Sequence, residues 1–266
     1  MVRSLCTGLI LAGLIACAPP PRVGELTACL GEADPPRSLR SADGRSGDGF
    51  DLAVAQLIAR ALNRNLQIVW QPKPVQTEIE STDIEYGPLL AGQCDLMLSV
   101  PGVDAIIGLQ DRLVLSEPYY GTGFELIPEN GRLDSASKVA VRANTVAHVV
   151  VDARGHDWTM QPDSSAIVAT VKNGGADVGL IWGPDLALPE VGVEEADLHH
   201  NRSYEPPRIL RWNQHALLRE DHPLTDDINK VLSQHSAEIM DLLGENDIPS
   251  HPPFATTHQS EALRAL

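Results

Sequence analysis

From Asp51 to Leu62 apolar residues recur at three- and four-residue spacing, with Leu52, Ala55, Ile58, Ala59 and Leu62 on one face after Gly47-Asp48-Gly49. That period predicts an amphipathic helix. Leu66-Gln67-Ile68-Val69-Trp70 reads as a strand, Pro72 and Pro74 open a loop, and a short helix is expected around Tyr86 to Ala91. One pattern then occurs twice. Gly92-Gln93-Cys94-Asp95 leads into Leu96-Met97-Leu98-Ser99-Val100-Pro101, and Gly174-Gly175-Ala176-Asp177 leads into Val178-Gly179-Leu180-Ile181-Trp182-Gly183-Pro184. Each breaks a helical run at glycine, adds an acid, buries a short apolar strand and stops it with proline. Two such units predict two similar α/β lobes, with a ligand cleft at the carboxyl ends of those strands.

Between the copies, Pro118-Tyr119-Tyr120-Gly121-Thr122-Gly123 feeds an extended Phe124-Glu125-Leu126-Ile127, read as the first crossing between lobes. Val139-Ala140-Val141-Arg142 starts the second lobe as a strand, and Asn144 or Thr145 caps an apolar helix from Val146 to Val151. Glu194 to Pro207 is polar and loop-like, while Ile209 to Trp212 with Gln214 to Leu218 returns the chain to the first lobe. A last helix is expected from Leu224 to Leu243, with Gly244 at its end. The implied division is 26–120 with 217–250 as lobe 1, 121–216 as lobe 2, and 251–266 as a loose tail.

The amino terminus carries targeting signals. Arg3 precedes an apolar run from Leu5 to Ala16, too short to span a bilayer but suited to a signal peptide over 1–17. Leu14-Ile15-Ala16-Cys17 resembles a lipobox, making Cys17 the expected lipidation site, with an ordinary secretory signal as the alternative. Residues 18–25 begin with a stiff proline-rich tether. Either signal exports the protein to the periplasm, and the lipid version anchors it to a membrane. Without Cys6 and Cys17, the four cysteines reduce to Cys29 and Cys94. An oxidising compartment predicts a disulfide between them, with two buried free thiols as the alternative.

The formal charge is −16, and removal of Arg3 with the signal makes it one unit more negative. That balance argues against nucleic acid or anionic lipid as a partner. Aromatics at 4% leave little for a base-stacking platform. There is no Gly-x-Ser-x-Gly elbow, no His-Glu-x-x-His and no phosphate loop, so no catalytic residue, metal or cofactor is assigned.

Gly49-Phe50-Asp51 opening a helix, Gly92-Gln93-Cys94-Asp95, Ser116-Glu117-Pro118-Tyr119-Tyr120, Val139-Ala140-Val141, and Ala176-Asp177 before a strand occur in an order that resembles the bacterial extracytoplasmic solute-binding proteins of family 3. Cys29 with Cys94, Val100-Pro101, Trp182-Gly183-Pro184 and Leu217-Leu218-Arg219-Glu220-Asp221 resemble the subgroup associated with quinoprotein (PQQ) alcohol dehydrogenases. The resemblance implies a two-lobe, type II periplasmic-binding-protein fold and a small-molecule ligand, bound but not converted by a monomer. It also implies either a quinoprotein dehydrogenase or an ABC permease as partner. Dehydratases of cyclic prephenate-like acids also resemble this family and form a third, enzymatic alternative.

Amino-acid binders of the family carry an arginine nine residues before the Pro-Tyr-Tyr proline, where this chain has Leu109. They carry an acid five residues after the second aspartate, where this chain has Trp182. Arg112 would replace the first anchor only across a small gap. A zwitterion left without partners in a closed cleft loses several kcal/mol, roughly its useful affinity. The expected ligand-binding residues each have a plainer reading. Trp182 stacks on an apolar ring or is core, and Tyr119 and Tyr120 line the cleft or pack the hinge. Arg142 and Thr145 make an anion site, or are a surface arginine and a helix cap. Asp185 meets a cation or caps a helix, and Glu32 faces the cleft or solvent.

Overall fold

The structure, a computed structural model, describes residues 24–44, 46–72 and 86–257. The signal peptide, Cys17 and most of the tether lie outside the described residues. One nine-stranded sheet runs through both halves of the protein. In the first half, β1 (Glu25–Gly31) lies between β5 (Asn65–Gln71) and β6 (Leu96–Val100), parallel to both. Before β5, the short strands β2 (Ala33–Asp34), β3 (Ser38–Arg40) and β4 (Gly47–Asp48) form a separate antiparallel sheet. In the second half, β9 (Lys138–Arg142) lies between β10 (Asp157–Gln161) and β11 (Val178–Trp182), again in parallel.

Two antiparallel strands join the halves. The chain leaves the first half along β8 (Tyr120–Ile127), whose far end pairs with β11. It returns along β12 (Arg211–Arg219), which pairs with β8 over Arg211–Gln214. Then β12 pairs with β6 and with β7 (Leu113–Leu115).

The helix α1 (Phe50–Ala61) forms as its period predicts and buries Leu52, Val54, Ala55, Leu57 and Ile58 on the first half of the sheet. Gly49 before it is at φ +109°, and a Cβ there would lie 2.6 Å from the Arg37 carbonyl oxygen. That close approach lets the Pro36 and Arg37 carbonyls accept the Phe50 and Asp51 N–H groups, closing the amino end of the helix. The short α2 (Gly87–Leu90) and α4 (Ser164–Lys172) both give way to left-handed glycines, Gly92 at φ +67° and Gly174 at φ +70°. Between the two, α3 (Val146–Ala153) carries the Thr145 cap.

Four expectations need correction. The polar stretch from Glu194 is not all loop: α5 (Val193–Ala196) forms there and buries Val193. The last helix is two, α6 (Thr225–Gln234) and α7 (Ser236–Glu245). The break falls at His235, whose ψ of 20° leaves the helical well and whose Nδ1 lies 3.0 Å from Glu238. Between Leu232 and Ile239 the apolar stripe holds only Ala237, so little packing opposes the break. The left-handed residue that follows α7 is Asp247 at φ +54°, not Gly244. Finally, residues 251–257 of the expected loose tail are hydrogen-bonded across β8 and β12.

Candidate functional site

The doubled sequence pattern is a doubled hydrogen-bond bracket. Asp95 donates its backbone N–H to the Thr27 carbonyl (2.7 Å), and its carboxylate accepts the Thr27 N–H (2.8 Å). Asp177 does the same to Lys138, at 2.9 and 2.8 Å. Each aspartate therefore locks the start of one parallel strand onto its neighbour, and each strand then runs towards the crossing. Val100 ends β6 level with His215, and Trp182 ends β11 level with Phe124. The carboxyl ends of both parallel sets thus flank the crossing strands, the end at which open α/β sheets bind ligands.

On the first lobe the polar groups at this end are occupied by one another. Ser99, at φ +54° within β6, donates its hydroxyl to Asp51 (2.5 Å) and its backbone N–H to the Tyr119 hydroxyl (2.8 Å). Its Oγ also lies 3.2 Å from the Tyr120 hydroxyl. Burial pushes the Asp51 carboxyl up to about 6, against the opposing pull of Arg37 and of the Ser99 hydroxyl. Burial and the Asp51 charge push both tyrosines above their ordinary value. Tyr119 and Tyr120 pack on Phe50 at centroid distances of 6.4 and 5.2 Å. Arg37, ion-paired to Asp34 at 2.6 Å, is the cation near this cluster. Glu32 stands past the end of β1, with Arg40 3.5 Å away.

In the second lobe the same end gathers aromatic rings against the core. Trp182, Phe124 and Trp212 meet edge to face, with centroids 5.7 Å apart for Phe124–Trp182, 5.4 Å for Trp182–Trp212 and 6.0 Å for Phe124–Trp212. Both tryptophans are partly exposed. Directly paired residues share a sheet face, so Trp182 opposite Phe124 and Trp212 opposite Thr122 put the trio on the face that carries Tyr120 and Gln214. Thr145 is fully engaged, donating to the Arg142 carbonyl (2.9 Å) and accepting the His148 N–H (3.3 Å), while Arg142 is exposed beside it. Asp185 accepts the Ser164 hydroxyl at 2.6 Å, which ties the turn after β11 to the first turn of α4. Phe124 and Trp212 were not singled out from sequence. Each lay on a segment read as a crossing, but only the register brings them to Trp182.

Neither position of the amino-acid anchors carries charge. Leu109 is buried with Leu113, Leu217 and the two cysteines. Arg112 does not substitute for it. Its carbonyl accepts the Glu220 N–H, and with Leu90, Asp111, Arg219, Glu220 and Asp221 it borders a hollow of about 290 Å³. Because β12 runs antiparallel to β6, with Leu218 level with Leu96, that hollow lies beyond the amino end of β6, away from the cleft. Cys29 and Cys94 form a disulfide with Cα atoms 5.6 Å apart, bracketing the same pair of strands as Asp95. Among the described residues no group of histidine, cysteine, aspartate and glutamate has metal-binding geometry.

Two α/β lobes joined by a pair of crossing strands make up the fold of the type II periplasmic binding proteins, and this chain has that fold. No family model matches it. In sequence it is similar to the protein MoxJ of Methylorubrum extorquens, 26% identical over 270 residues covering 87% of this chain and 83% of that protein. It is also similar to the MoxJ of Paracoccus denitrificans, 20% identical over 86% of this chain and 90% of that protein. Among solved structures, MxaJ of Methlophaga aminisulfidivorans has a TM-score of 0.56 at 22% identity, over 85% of this chain and 99% of MxaJ. The unliganded open L-cystine solute receptor of Neisseria gonorrhoeae has a TM-score of 0.66 at 14% identity, over 84% of this chain and 92% of the receptor.

Proposed function

We propose that this chain is an exported, non-enzymatic solute-binding-type protein, lipid-anchored through Cys17, that serves a periplasmic quinoprotein alcohol dehydrogenase and whose cleft rejects ordinary amino acids. The observation that carries the ligand half is Trp182. It stands where amino-acid binders of the family hold an acid, and it belongs to a trio of aromatic rings at the carboxyl end of β11. An ammonium group brought there would lose its hydration without gaining a carboxylate. The two partly exposed indoles suit an uncharged planar or apolar guest. The likeness to MoxJ and MxaJ, together with the subgroup motifs, supports the accessory role.

The competing role is a transport receptor for a small organic solute, favoured by the likeness to the L-cystine receptor. Surface-immobilised chain is to be challenged with a purified quinoprotein alcohol dehydrogenase from the same cells, and separately with the ABC permease encoded nearest to it. Saturable binding of the dehydrogenase alone supports the accessory role, and binding of the permease alone overturns it.

A further inference from the structure

We propose that residues 249–257 form a strap across the back of the two crossing strands and so restrain the angle between the lobes. This inference rests on the two-lobe fold and is independent of which ligand the cleft takes.

Beyond α7 the chain turns at Asp247, buries Ile248 in the core of the first lobe, and then leaves that lobe for the crossing. His251 pairs with Gly121 of β8 as an antiparallel bridge, accepting the Gly121 N–H at 2.7 Å and donating its own N–H to the Gly121 carbonyl at 2.9 Å. The His251 ring reaches along the same strand to Glu125, 3.0 Å from Nε2 to Oε1. Glu125 is only 1% exposed, so this contact compensates a buried carboxyl group. Three residues on, the strap changes strands. Asn213 of β12 donates Nδ2 to the Phe254 carbonyl (3.0 Å) and accepts the Phe254 N–H (2.8 Å). The Arg211 guanidinium lies 4.6 Å from the Phe254 ring centroid and donates from Nε to the Thr256 carbonyl at 2.8 Å. Arg208, just before β12, donates to the Thr257 carbonyl at 3.1 Å.

The alternation of the strands separates this side from the side that carries Trp182. Gly121, Glu125, Arg211 and Asn213 share the back face, while Thr122, Phe124, Trp212 and Gln214 share the face with Trp182. On the side that carries Trp182, Thr122 Oγ1 and Gln214 Nε2 are buried without hydrogen-bond partners, whereas on the opposite side Asn213 and Arg211 bond to the strap. The seat is shaped for the strap as well: a Cβ on Gly121 would lie 2.5 Å from the Phe254 ring and 3.0 Å from the Pro252 carbonyl oxygen. Rotation of one lobe against the other is absorbed by dihedral changes in a few residues of the crossing strands. A segment bonded to both strands at once limits those changes.

The test uses the full chain, Phe254→Ala, Gly121→Ala and a chain ending at Pro249, all without added ligand. Hydrogen exchange is measured over residues 119–125 and 211–215, with β1 and β9 as internal references, alongside small-angle X-ray scattering. Loss of the strap is expected to speed exchange in the crossing strands by about tenfold or more while the references hold still. The scattering is expected to report a broader range of lobe separations. Unchanged exchange and scattering in Phe254→Ala and Gly121→Ala would overturn the proposal. So would acceleration of every strand together, which marks a general stability contact, or faster crossing-strand exchange with unaltered scattering. Should the shortened chain fail to fold, the two point variants decide.

Discussion

Asp95 and Asp177 make the same pair of backbone contacts to a neighbouring parallel strand, yet one sits in a reinforced interior and the other at an exposed rim. Asp95 is 7% exposed and also accepts from the fully buried His222 (3.1 Å). Burial alone would raise its carboxyl, but the His222 and Thr27 hydrogen bonds hold it below the usual carboxylate range. The Cys29–Cys94 disulfide closes over the same two strands. Asp177 has Lys138 and no disulfide beside it. At the far ends of the two strands the contrast changes character. The end of β6 is closed by Asp51, Ser99, Tyr119 and Tyr120 bonding to one another, whereas the end of β11 offers aromatic faces. One repeated unit therefore ends in a closed polar cluster in the first lobe and in a cluster of aromatic rings in the second.

Breaking the disulfide should unbalance the two lobes most. Its closed loop spans a sequence separation of 65. The loop-entropy relation gives about 4 kcal/mol for a closure of that size, so Cys29→Ser with Cys94→Ser should lower the denaturant midpoint accordingly. An unchanged midpoint would mean that the first lobe owes its rigidity to other contacts.

The next largest effect compares the two aspartates directly. Asp95→Ala leaves His222 buried without its acceptor and should cost about 3 kcal/mol, while Asp177→Ala at the exposed rim should cost about 1 kcal/mol or less. The pH dependence has a defined sign. A carboxyl held below its unfolded value contributes stability above that unfolded value and loses it as pH falls through the folded one. The gap between wild type and Asp95→Ala should therefore close in acid. Equal costs for the two substitutions at neutral pH would dissolve the distinction between the brackets.

The smallest of the three concerns Asp51, whose carboxyl is raised from 3.8 to about 6. A raised carboxyl has the opposite sign: the folded state binds the extra proton, so its contribution is most favourable in acid and declines as pH climbs through about 6. Between pH ~4 and ~6.5, wild type should lose about 2 kcal/mol relative to Asp51→Asn in denaturant titrations. A constant difference across that range would show that the Ser99 and Tyr119 cluster does not hold a strained charge.

Much of the architecture was legible because periodicity and punctuation report local structure. The residues of α1, β9 and β11, the glycines after α2 and α4, and the Thr145 cap all announce themselves within a few positions. The disulfide was legible from compartment and count. What the sequence could not supply was register. The trio of Trp182, Phe124 and Trp212 exists because three strands align at particular residues, and no local signal sets that alignment. The same holds for the segment after Pro249, which lacks periodicity since its partners are side chains and backbone of the distant β8 and β12. Arg112 shows the converse hazard. It stands near the right place in sequence, but β12 carries its neighbourhood to the opposite end of the sheet.

The central claim is that aromatic surface at Trp182 and buried Leu109 have replaced the charged anchors of an amino-acid site. Calorimetric titration of the purified, ligand-stripped protein with each of the common amino acids tests it most directly. No binding heat at micromolar to low millimolar concentrations is predicted. Micromolar affinity for any of them would contradict the claim.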